Sequence, residues 1–344
     1  MKALAIRRYK APMEMMELPQ PEPGPGELLV RVRAAGVNPL DSKIRDGAVK
    51  VLLRFSFPLI LGTDLAGDVE AIGPGVTRFK LGDAVYSRLD NDRIGAFAEF
   101  AVVRESAAAR KPARLDYTQA ASLPLVALTA WQTLIELAQL RAGQKVLIHA
   151  GSGGVGTVAI QLAKHLGAYV ATTAGARSHA LVKSLGAEVA IDYRTSRFET
   201  VVEDQDVVLD TQGGDTLLRS FEVVKPGGVV VTIGGRPDGK FARAWGLSRP
   251  LVWVLGFLNR KVDRLAREKR VRFEYLFMRA SGELLEKIGA LVDLGVIVPV
   301  VDKVFSLEDA GEAISYVESG RAVGKVVIRV ADAPRSGFQV GSSG

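Results

Sequence analysis

A glycine-rich segment from residue 151 to residue 156 is the part of the sequence with the clearest chemistry. It reads Gly-Ser-Gly-Gly-Val-Gly, the spacing GxGxxG, and lies between an apolar run, Lys145 to His149, and a helical segment, Val155 to Leu166. Such glycines allow a tight turn and a close approach of backbone to a pyrophosphate, while the N-terminus of the following helix supplies unpaired N–H donors. We predict a dinucleotide site here; the alternative is a structural turn without a ligand. The predicted site residues are Gly151, Ser152, Gly153, Gly154, Val155 and Gly156.

The residues after the second strand indicate which dinucleotide the site would take. A site for NAD carries Asp or Glu about 20 residues beyond the glycines, where it accepts from the ribose 2′-hydroxyl. Residues 171–179 read Ala-Thr-Thr-Ala-Gly-Ala-Arg-Ser-His, without an acid. Arg177 can bind a 2′-phosphate as a fork, and Thr173, Ser178 and His179 can donate hydrogen bonds. We therefore predict NADPH as the cofactor; the alternative for Arg177 is a solvated loop position.

Residues that bind catalytic metals are scarce in this chain. It contains no cysteine and three histidines, His149, His165 and His179. A catalytic zinc site normally takes three ligands rich in His and Cys, so we predict no metal site. The same composition excludes disulfides and a thiolate nucleophile. Residues 1–10 lack the apolar core of a signal peptide, and we expect a cytoplasmic protein.

The positive charge is concentrated in one stretch of the chain. The formal net charge is +7, and residues 249–279 hold nine Lys or Arg against three acids. Apolar residues recur there at steps of three and four, which predicts a basic amphipathic helix. They are Leu251, Leu255, Leu258, Val262 and Leu265. Three alternatives are open for it: packing on its own protein or a sister subunit, weak contact with an anionic membrane surface, and binding to nucleic acid, although we predict no specific nucleic-acid partner.

The pattern of elements divides the chain into two kinds of domain. Residues 1–121 carry short β-like runs separated by Gly and Pro, which is typical of a small, mostly β domain. From residue 122, apolar strands begin about 20 residues apart with helix-length segments between them, which predicts an α/β fold with a doubly wound parallel sheet over 122–280. We expect residues 281–332 to return to the first domain and 333–344 to form a disordered tail.

Six motifs in this order resemble the zinc-independent quinone oxidoreductase and enone reductase branch of the medium-chain dehydrogenase/reductase superfamily. They are Ala34 to Asp41 (AAGVNPLD), Gly62 to Gly67 (GTDLAG), Ser122 to Trp131 (SLPLVALTAW), Ala150 to Gly156 (AGSGGVG), Ile191 to Tyr193 (IDY) and Gly320 to Lys325 (GRAVGK). The resemblance covers about residues 1–330. It implies a GroES-like, mostly β substrate domain interrupted by a Rossmann domain, with the active site in the cleft between them, and a homodimer.

The resemblance also suggests roles for single residues. Asn38 would line the cleft, Thr129 would contact the nicotinamide end, and Lys43 stands where related bacterial quinone reductases often have Tyr. Tyr193, Gly234 and Arg321 would lie at the cofactor, Tyr193 and Arg321 near its 2′-phosphate. Purely structural roles stay open as alternatives. In these, Asn38 before Pro39 fixes a turn and Lys43 is a surface cation, while Tyr86 belongs to the core as readily as to the active site.

The sequence departs from the zinc-dependent alcohol dehydrogenases where those enzymes hold their metal. It has Asn38 in the region of a Cys ligand and Gly62-Thr63-Asp64 in place of Gly-His-Glu. Without a Lewis acid, the accessible chemistry is hydride transfer to a carbon already made electrophilic by conjugation. We predict an NADPH-dependent reductase of quinones or α,β-unsaturated carbonyls. The rival hypothesis is a structural or regulatory protein, crystallin-like or RNA-binding, that binds NADPH with little turnover.

Overall fold

The computed structural model describes residues 1–330, so the predicted tail, 333–344, lies outside the described residues. The first part of the chain is mostly strand. Its elements are β1 (Lys2–Ile6), β2 (Glu14–Glu17), β3 (Glu27–Val37), α1 (Pro39–Arg45), β4 (Leu59–Ile60), β5 (Asp64–Ile72), β6 (Ala84–Arg88), β7 (Phe100–Arg104) and β8 (Ala108–Arg110). The sequence predicts a short β-like run at residues 28–32, but β3 is longer, because its second half is buried on both faces and needs no alternation there.

The second part alternates helices and strands. Its elements are α2 (Tyr117–Ala121), α3 (Pro124–Trp131), β9 (Lys145–Ile148), α4 (Gly154–His165), β10 (Tyr169–Thr173), α5 (His179–Ser184), β11 (Val189–Ile191), β12 (Gln205–Asp210), α6 (Gly214–Ser220), β13 (Val224–Thr232), α7 (Gly239–Ala244), α8 (Arg249–Lys269) and β14 (Arg272–Tyr275). The chain ends, within the described residues, with α9 (Gly282–Asp293), β15 (Val301–Ser306), α10 (Ala310–Glu318) and β16 (Lys325–Arg329).

A six-stranded sheet in the order β11-β10-β9-β12-β13-β14 forms the centre of the second part. All its pairs are parallel. The order reverses between β9 and β12, so the helices that follow these strands leave on opposite faces and a crevice opens at the carboxyl ends. The predicted doubly wound sheet is therefore confirmed, and the glycine segment lies at this crevice.

A seven-stranded sheet in the order β15-β16-β3-β5-β6-β8, with β7 also paired to β3, forms the other large layer. Strand β16 pairs antiparallel to β3, with Val326 opposite Val37. This pairing brings Lys325, 287 residues away in sequence, against Asn38. The end of β3 and the start of β16 therefore meet beside the crevice.

Two helical predictions need correction. The helical spacing of residues 123–140 predicts one helix, whereas the structure has α3 followed by a π-helical turn, Gln132–Leu137. In α8, Leu258 is exposed, although we predicted it on the inward face with Leu251, Leu255, Val262 and Leu265. The neighbouring Asn259 takes the inward position, because its amide donates to the carbonyls of Pro237 and Leu255 at 2.7 and 3.0 Å. Within residues 1–330, no helix is both long and apolar enough to cross a membrane.

Candidate active site

The glycine turn joins the end of β9 to the start of α4 and is packed too closely for larger residues. A Cβ on Gly151 would lie 2.0 Å from the Thr172 hydroxyl, and a Cβ on Gly156 would lie 2.4 Å from the Ala150 carbonyl oxygen. The first N–H groups of α4 have no partner within the helix and point toward the crevice. Turns of this geometry can hold a diphosphate on their backbone N–H groups.

We expect Gly156→Ala to destabilise the turn by about 1–3 kcal/mol and to weaken NADPH binding at least tenfold, because the added methyl must push the backbone at Ala150 and Gly151 apart. Fluorescence titration with NADPH and urea denaturation measure both effects. Gly256→Ala is the matched control, since a Cβ there meets nothing within 4 Å. Tight NADPH binding by Gly156→Ala would contradict a diphosphate site at this turn.

A cleft of about 320 Å³ lies between this turn and the seven-stranded sheet. The segment before β16 is hydrogen-bonded to the glycine turn at the floor of this cleft. The Gly324 N–H donates to the Ser152 carbonyl at 2.7 Å, and Gly324 pairs with Gly153 as an isolated β-bridge. The lining residues are Asn38, Gly153, Gly154, Val155, Thr211, Gln212, Ile233, Ala322 and Lys325, among others. Arg321 is exposed beside this lining.

A second cavity of about 170 Å³ adjoins the cleft. The two share Leu125, Val155 and Ile233, so a group held in the cleft would reach the second cavity at these residues. The rest of its wall is mainly apolar with a few polar side chains. These residues are Leu40, Lys43, Val49, Arg88, Asn91, Thr129, Tyr275, Leu276, Phe277 and Met278. Small apolar pockets with few convergent polar groups are typical of ligand sites.

A buried polar network closes the bottom of the cleft. The Lys325 ammonium donates to the Asn38 side-chain oxygen at 2.6 Å and to the Val37 carbonyl at 2.8 Å, and it lies 3.7 Å from a carboxylate oxygen of Asp64. The Asn38 amide donates to the same carboxylate at 3.0 Å. Asp41 accepts from the Asn38 backbone N–H at 2.8 Å. Asn38 therefore both begins α1 and fixes the network.

Burial dominates the titration of this network. It raises the pKa of Asp41 to about 7, although the Asn38 N–H opposes the shift and the nearby Asp64 adds to it. Burial likewise raises the pKa of Asp64 and lowers that of Lys325, and each group partly offsets the shift of the other. One carboxylate oxygen of Asp41 has no hydrogen-bond partner among the described residues. Asp41 thus changes its charge near neutral pH.

Stability is expected to fall with pH because of Asp41. Its pKa is about 7 in the folded chain and about 4 in an unfolded one, so the folded chain binds more protons between these values and the free energy of unfolding decreases as pH rises. We expect a decrease of about 1 kcal/mol per pH unit from about pH 5 to about pH 7 that is absent in Asp41→Asn. Urea denaturation of both proteins across this range measures the difference. Parallel pH curves would show that Asp41 does not titrate there.

Two arginines follow the ends of β10 and β11, on the side of the crevice where the adenosine half of a dinucleotide lies in this kind of fold. Arg177 is exposed in the turn after β10. The Arg194 guanidinium approaches Gly175, where an added Cβ would lie 3.3 Å from it, and it stacks 5.2 Å from the centre of the Tyr193 ring. Arg194 was not among the residues predicted from the sequence. Its position just after β11 could have indicated it, because β10 and β11 are parallel neighbours whose carboxyl ends lie at one edge of the sheet.

The other polar residues predicted near the 2′-phosphate are turned inward. The Thr173 hydroxyl accepts from the Ala150 N–H at 3.0 Å and lies 3.3 Å from His149. A ring nitrogen of His179 lies 3.2 Å from the Ala174 carbonyl, and Ser178 is buried. Burial lowers the pKa of His149 to about 4, so this histidine is neutral. These residues support the turn, and their direct contact with a cofactor stays a prediction.

The remaining predicted site residues have clear positions. Thr129 is buried at the wall of the second cavity and donates to the Leu125 carbonyl at 2.7 Å. Lys43 is exposed and lines the same cavity. Gly234 follows β13, where an added Cβ would lie 2.7 Å from the Thr211 carbonyl oxygen. Tyr86 belongs to the core, because it is fully buried and its hydroxyl donates to the Leu285 carbonyl.

Comparison with known proteins agrees with this architecture. Residues 24–113 match the alcohol dehydrogenase GroES-like domain family, and residues 185–328 match a family described as zinc-binding dehydrogenase. The chain is 35% identical to the mitochondrial NAD(P)H oxidoreductase RTN4IP1 of Danio rerio over 89% of this chain and 84% of that protein. It is 34% identical to an NADPH-dependent alkenal/one oxidoreductase of Arabidopsis thaliana, over 90% of this chain and 73% of that protein.

The fold is shared with solved structures of the same group. The structure of a quinone oxidoreductase from Coxiella burnetii superposes with a TM-score of 0.84 at 32% identity, and covers 96% of this chain and 99% of its own. Similarity of this extent, over both kinds of domain, assigns a family. The chain belongs to the quinone oxidoreductase and enone reductase branch of the medium-chain dehydrogenase/reductase superfamily.

Proposed function

We propose that this protein is an NADPH-dependent reductase that transfers a hydride to quinones or α,β-unsaturated carbonyl compounds without zinc. The observation that carries the proposal is the junction of the two cavities, where a dinucleotide cleft opens into a small, mainly apolar pocket at Leu125, Val155 and Ile233. Relatives named alkenal/one oxidoreductase and quinone oxidoreductase support the same chemistry.

The residues present fit the cofactor. Gly151 and Gly156 allow the turn to pack closely on Thr172 and Ala150, and this turn presents the start of α4 to the cleft, as a diphosphate site requires. Arg177 and Arg194 supply two cations for a 2′-phosphate, and the residues from 171 to 179 offer no carboxylate to a 2′-hydroxyl. When bound, NADPH supplies the hydride. The chain's own part is to hold the nicotinamide at the cavity junction and to exclude water from it.

The residues at the bottom of the cleft do not favour a catalytic zinc ion. The chain has no cysteine, and the region of the metal ligands in zinc-dependent relatives holds Asn38, Thr63 and Asp64. The Asn38 amide and the Lys325 ammonium both donate toward the Asp64 carboxylate. A zinc ion at the Asp64 carboxylate would lie beside the buried positive charge of Lys325, which already interacts with that carboxylate. The network takes the place of a metal and fixes the cleft.

Without a metal, the developing negative charge of the substrate oxygen needs hydrogen-bond donors in the second cavity. Lys43 is the exposed cation of this wall and can stabilise an enolate or hydroquinone anion and return a proton to it. Thr129 shapes the wall, since its hydroxyl is held by Leu125. Asn38 caps the start of α1, and Lys43 lies in the last turn of the same helix.

Rates of NADPH oxidation with matched acceptors test the proposal. We expect turnover with quinones, enones and enals, no turnover with their saturated counterparts, and rates that a chelator or added zinc does not change. Turnover restricted to saturated carbonyls, or activity lost to a chelator, would refute it. NADPH binding without turnover across the panel would favour the structural or regulatory hypothesis. The homodimer and the cytoplasmic location stay predictions.

A further inference from the structure

The outer face of α8 is unusual because large apolar side chains are exposed on it. Trp253 is 71% exposed, Phe257 51%, Leu258 48% and Val254 43%. Trp253 and Phe257 are four residues apart, as are Val254 and Leu258, so the four side chains form one patch on the first half of the helix. The Trp253 and Phe257 rings stack with centroids 5.8 Å apart. Exposed aromatic patches of this kind on a folded protein mark an interaction surface.

The second half of the same helix face is basic. Arg260, Lys261 and Arg264 continue the exposed face beyond the apolar patch, and the Arg260 guanidinium lies 3.9 Å from the centre of the Phe257 ring. The exposed acid of α8 is Glu268, near the end of the helix, and it accepts from the Arg264 guanidinium at 2.7 Å. Arg260 and Lys261, next to the apolar patch, have no acid beside them among the exposed residues 249–267 of the described chain. The apolar patch is therefore bordered by cations.

A basic groove lies beside this face. A cavity of about 650 Å³ separates α8 from α7 and β14. Five cations, Lys240, Arg243, Arg267, Arg270 and Arg272, line it together with the acids Asp238 and Asp263. Asp238 is occupied as the N-cap of α7, where it accepts from the Phe241 N–H at 2.6 Å. The groove thus adds to the positive surface and has the chemistry to hold phosphate groups.

We propose that α8 docks this protein on the surface of an anionic phospholipid bilayer. The apolar half, with Trp253 and Phe257, enters the interface between headgroups and acyl chains, and the basic half and the adjoining groove contact the lipid phosphates. Charge complementarity selects this partner. Pairing of two copies through α8 would bring Arg260 and Lys261 of both copies to one interface, where the exposed acid of the helix, Glu268, already accepts from Arg264. A nucleic acid would leave the apolar half uncovered.

Vesicle co-sedimentation tests the proposal on the full-length protein. We expect binding to vesicles that contain phosphatidylglycerol, little binding to pure phosphatidylcholine, and a loss of binding as salt rises. Arg260→Glu/Lys261→Glu should weaken partitioning by roughly 20-fold or more, since each basic residue near an anionic surface contributes about 1 kcal/mol. Lys80→Glu/Arg141→Glu changes the net charge by the same amount at exposed positions outside α8 and should bind like the unmodified protein.

The apolar half has its own test. Trp253→Ser/Phe257→Ser should abolish binding at unchanged net charge, while NADPH oxidation with a soluble acceptor stays at its original rate, because neither residue lines the cleft or the second cavity. Equal binding to both kinds of vesicle, or binding unaffected by either α8 variant, would overturn the proposal. So would a dimer that dissociates when Trp253 and Phe257 are replaced, or displacement of the protein from vesicles to an oligonucleotide.

Discussion

Lys325→Met is expected to lower the free energy of unfolding by about 3–5 kcal/mol, because it removes one partner of a buried ion pair and leaves the other without compensation. The ammonium is fully enclosed and donates to Asn38 and to the Val37 carbonyl beside the Asp64 carboxylate. Methionine fills a similar volume but has no donor. We also expect reductase activity to fall, since the network positions the end of β3 and the start of α1 at the cleft.

Two further variants separate the ion pair from the packing. Asp64→Asn/Lys325→Met removes both charges and should be more stable than Lys325→Met alone. Lys145→Met is the matched control, because Lys145 is also the first residue of a strand but is exposed, and its replacement should cost less than about 0.5 kcal/mol. Urea denaturation gives all four values. Equal stability of Lys325→Met and the unmodified protein would show that the buried pair contributes nothing.

Arg177→Ala/Arg194→Ala is expected to weaken NADPH binding roughly 100-fold and to leave NADH binding unchanged, because hydrogen bonds to a charged group contribute about 1.5–3 kcal/mol each. Arg177 is an exposed residue of the turn that follows β10, and the Arg194 guanidinium approaches Gly175 in the same turn. Both positions are outside the glycine-rich segment 151–156. The loss should therefore be confined to the coenzyme that carries the extra phosphate.

Titration calorimetry with both coenzymes measures this selectivity. Arg141→Ala, an exposed arginine in the turn before β9, serves as the control and should bind both coenzymes like the unmodified protein. If the double variant loses affinity for NADPH and NADH equally, the arginines act on the shared part of the coenzyme or on the fold. A preference of the unmodified protein for NADH would contradict the assignment of the 2′-phosphate site.

Local patterns were sufficient to predict the parallel sheet and the glycine turn. Strands β9, β10 and β12 are short apolar runs that the sheet buries on both faces. Such runs can be recognised as strands from the local sequence, without knowledge of the neighbouring strands. The GxGxxG spacing is equally local, because the turn and the helix that need the glycines follow one another in the chain.

The buried network and the second arginine depend on contacts between distant segments. Lys325 and Lys145 look alike in sequence, because each is a lysine at the start of an apolar strand. Pairing of β16 with β3 buries Lys325, whereas Lys145 at the start of β9 is exposed. Arg194 reaches the cofactor edge only because β11 lies beside β10. On α8, the period predicted the inward face but not the position of Leu258, since the bonds of Asn259 to Pro237 and Leu255 set the rotation.

Transfer of deuterium from NADPH labelled at the transferred position of the nicotinamide tests the central claim most directly. In a single turnover with an enone, we predict that the label appears on the β-carbon of the product, because the proposed reductase transfers hydride to a carbon that conjugation makes electrophilic. Mass spectrometry and NMR of the product locate it. Label on the carbonyl carbon, or an acceptor that leaves the labelled coenzyme intact, would contradict the account.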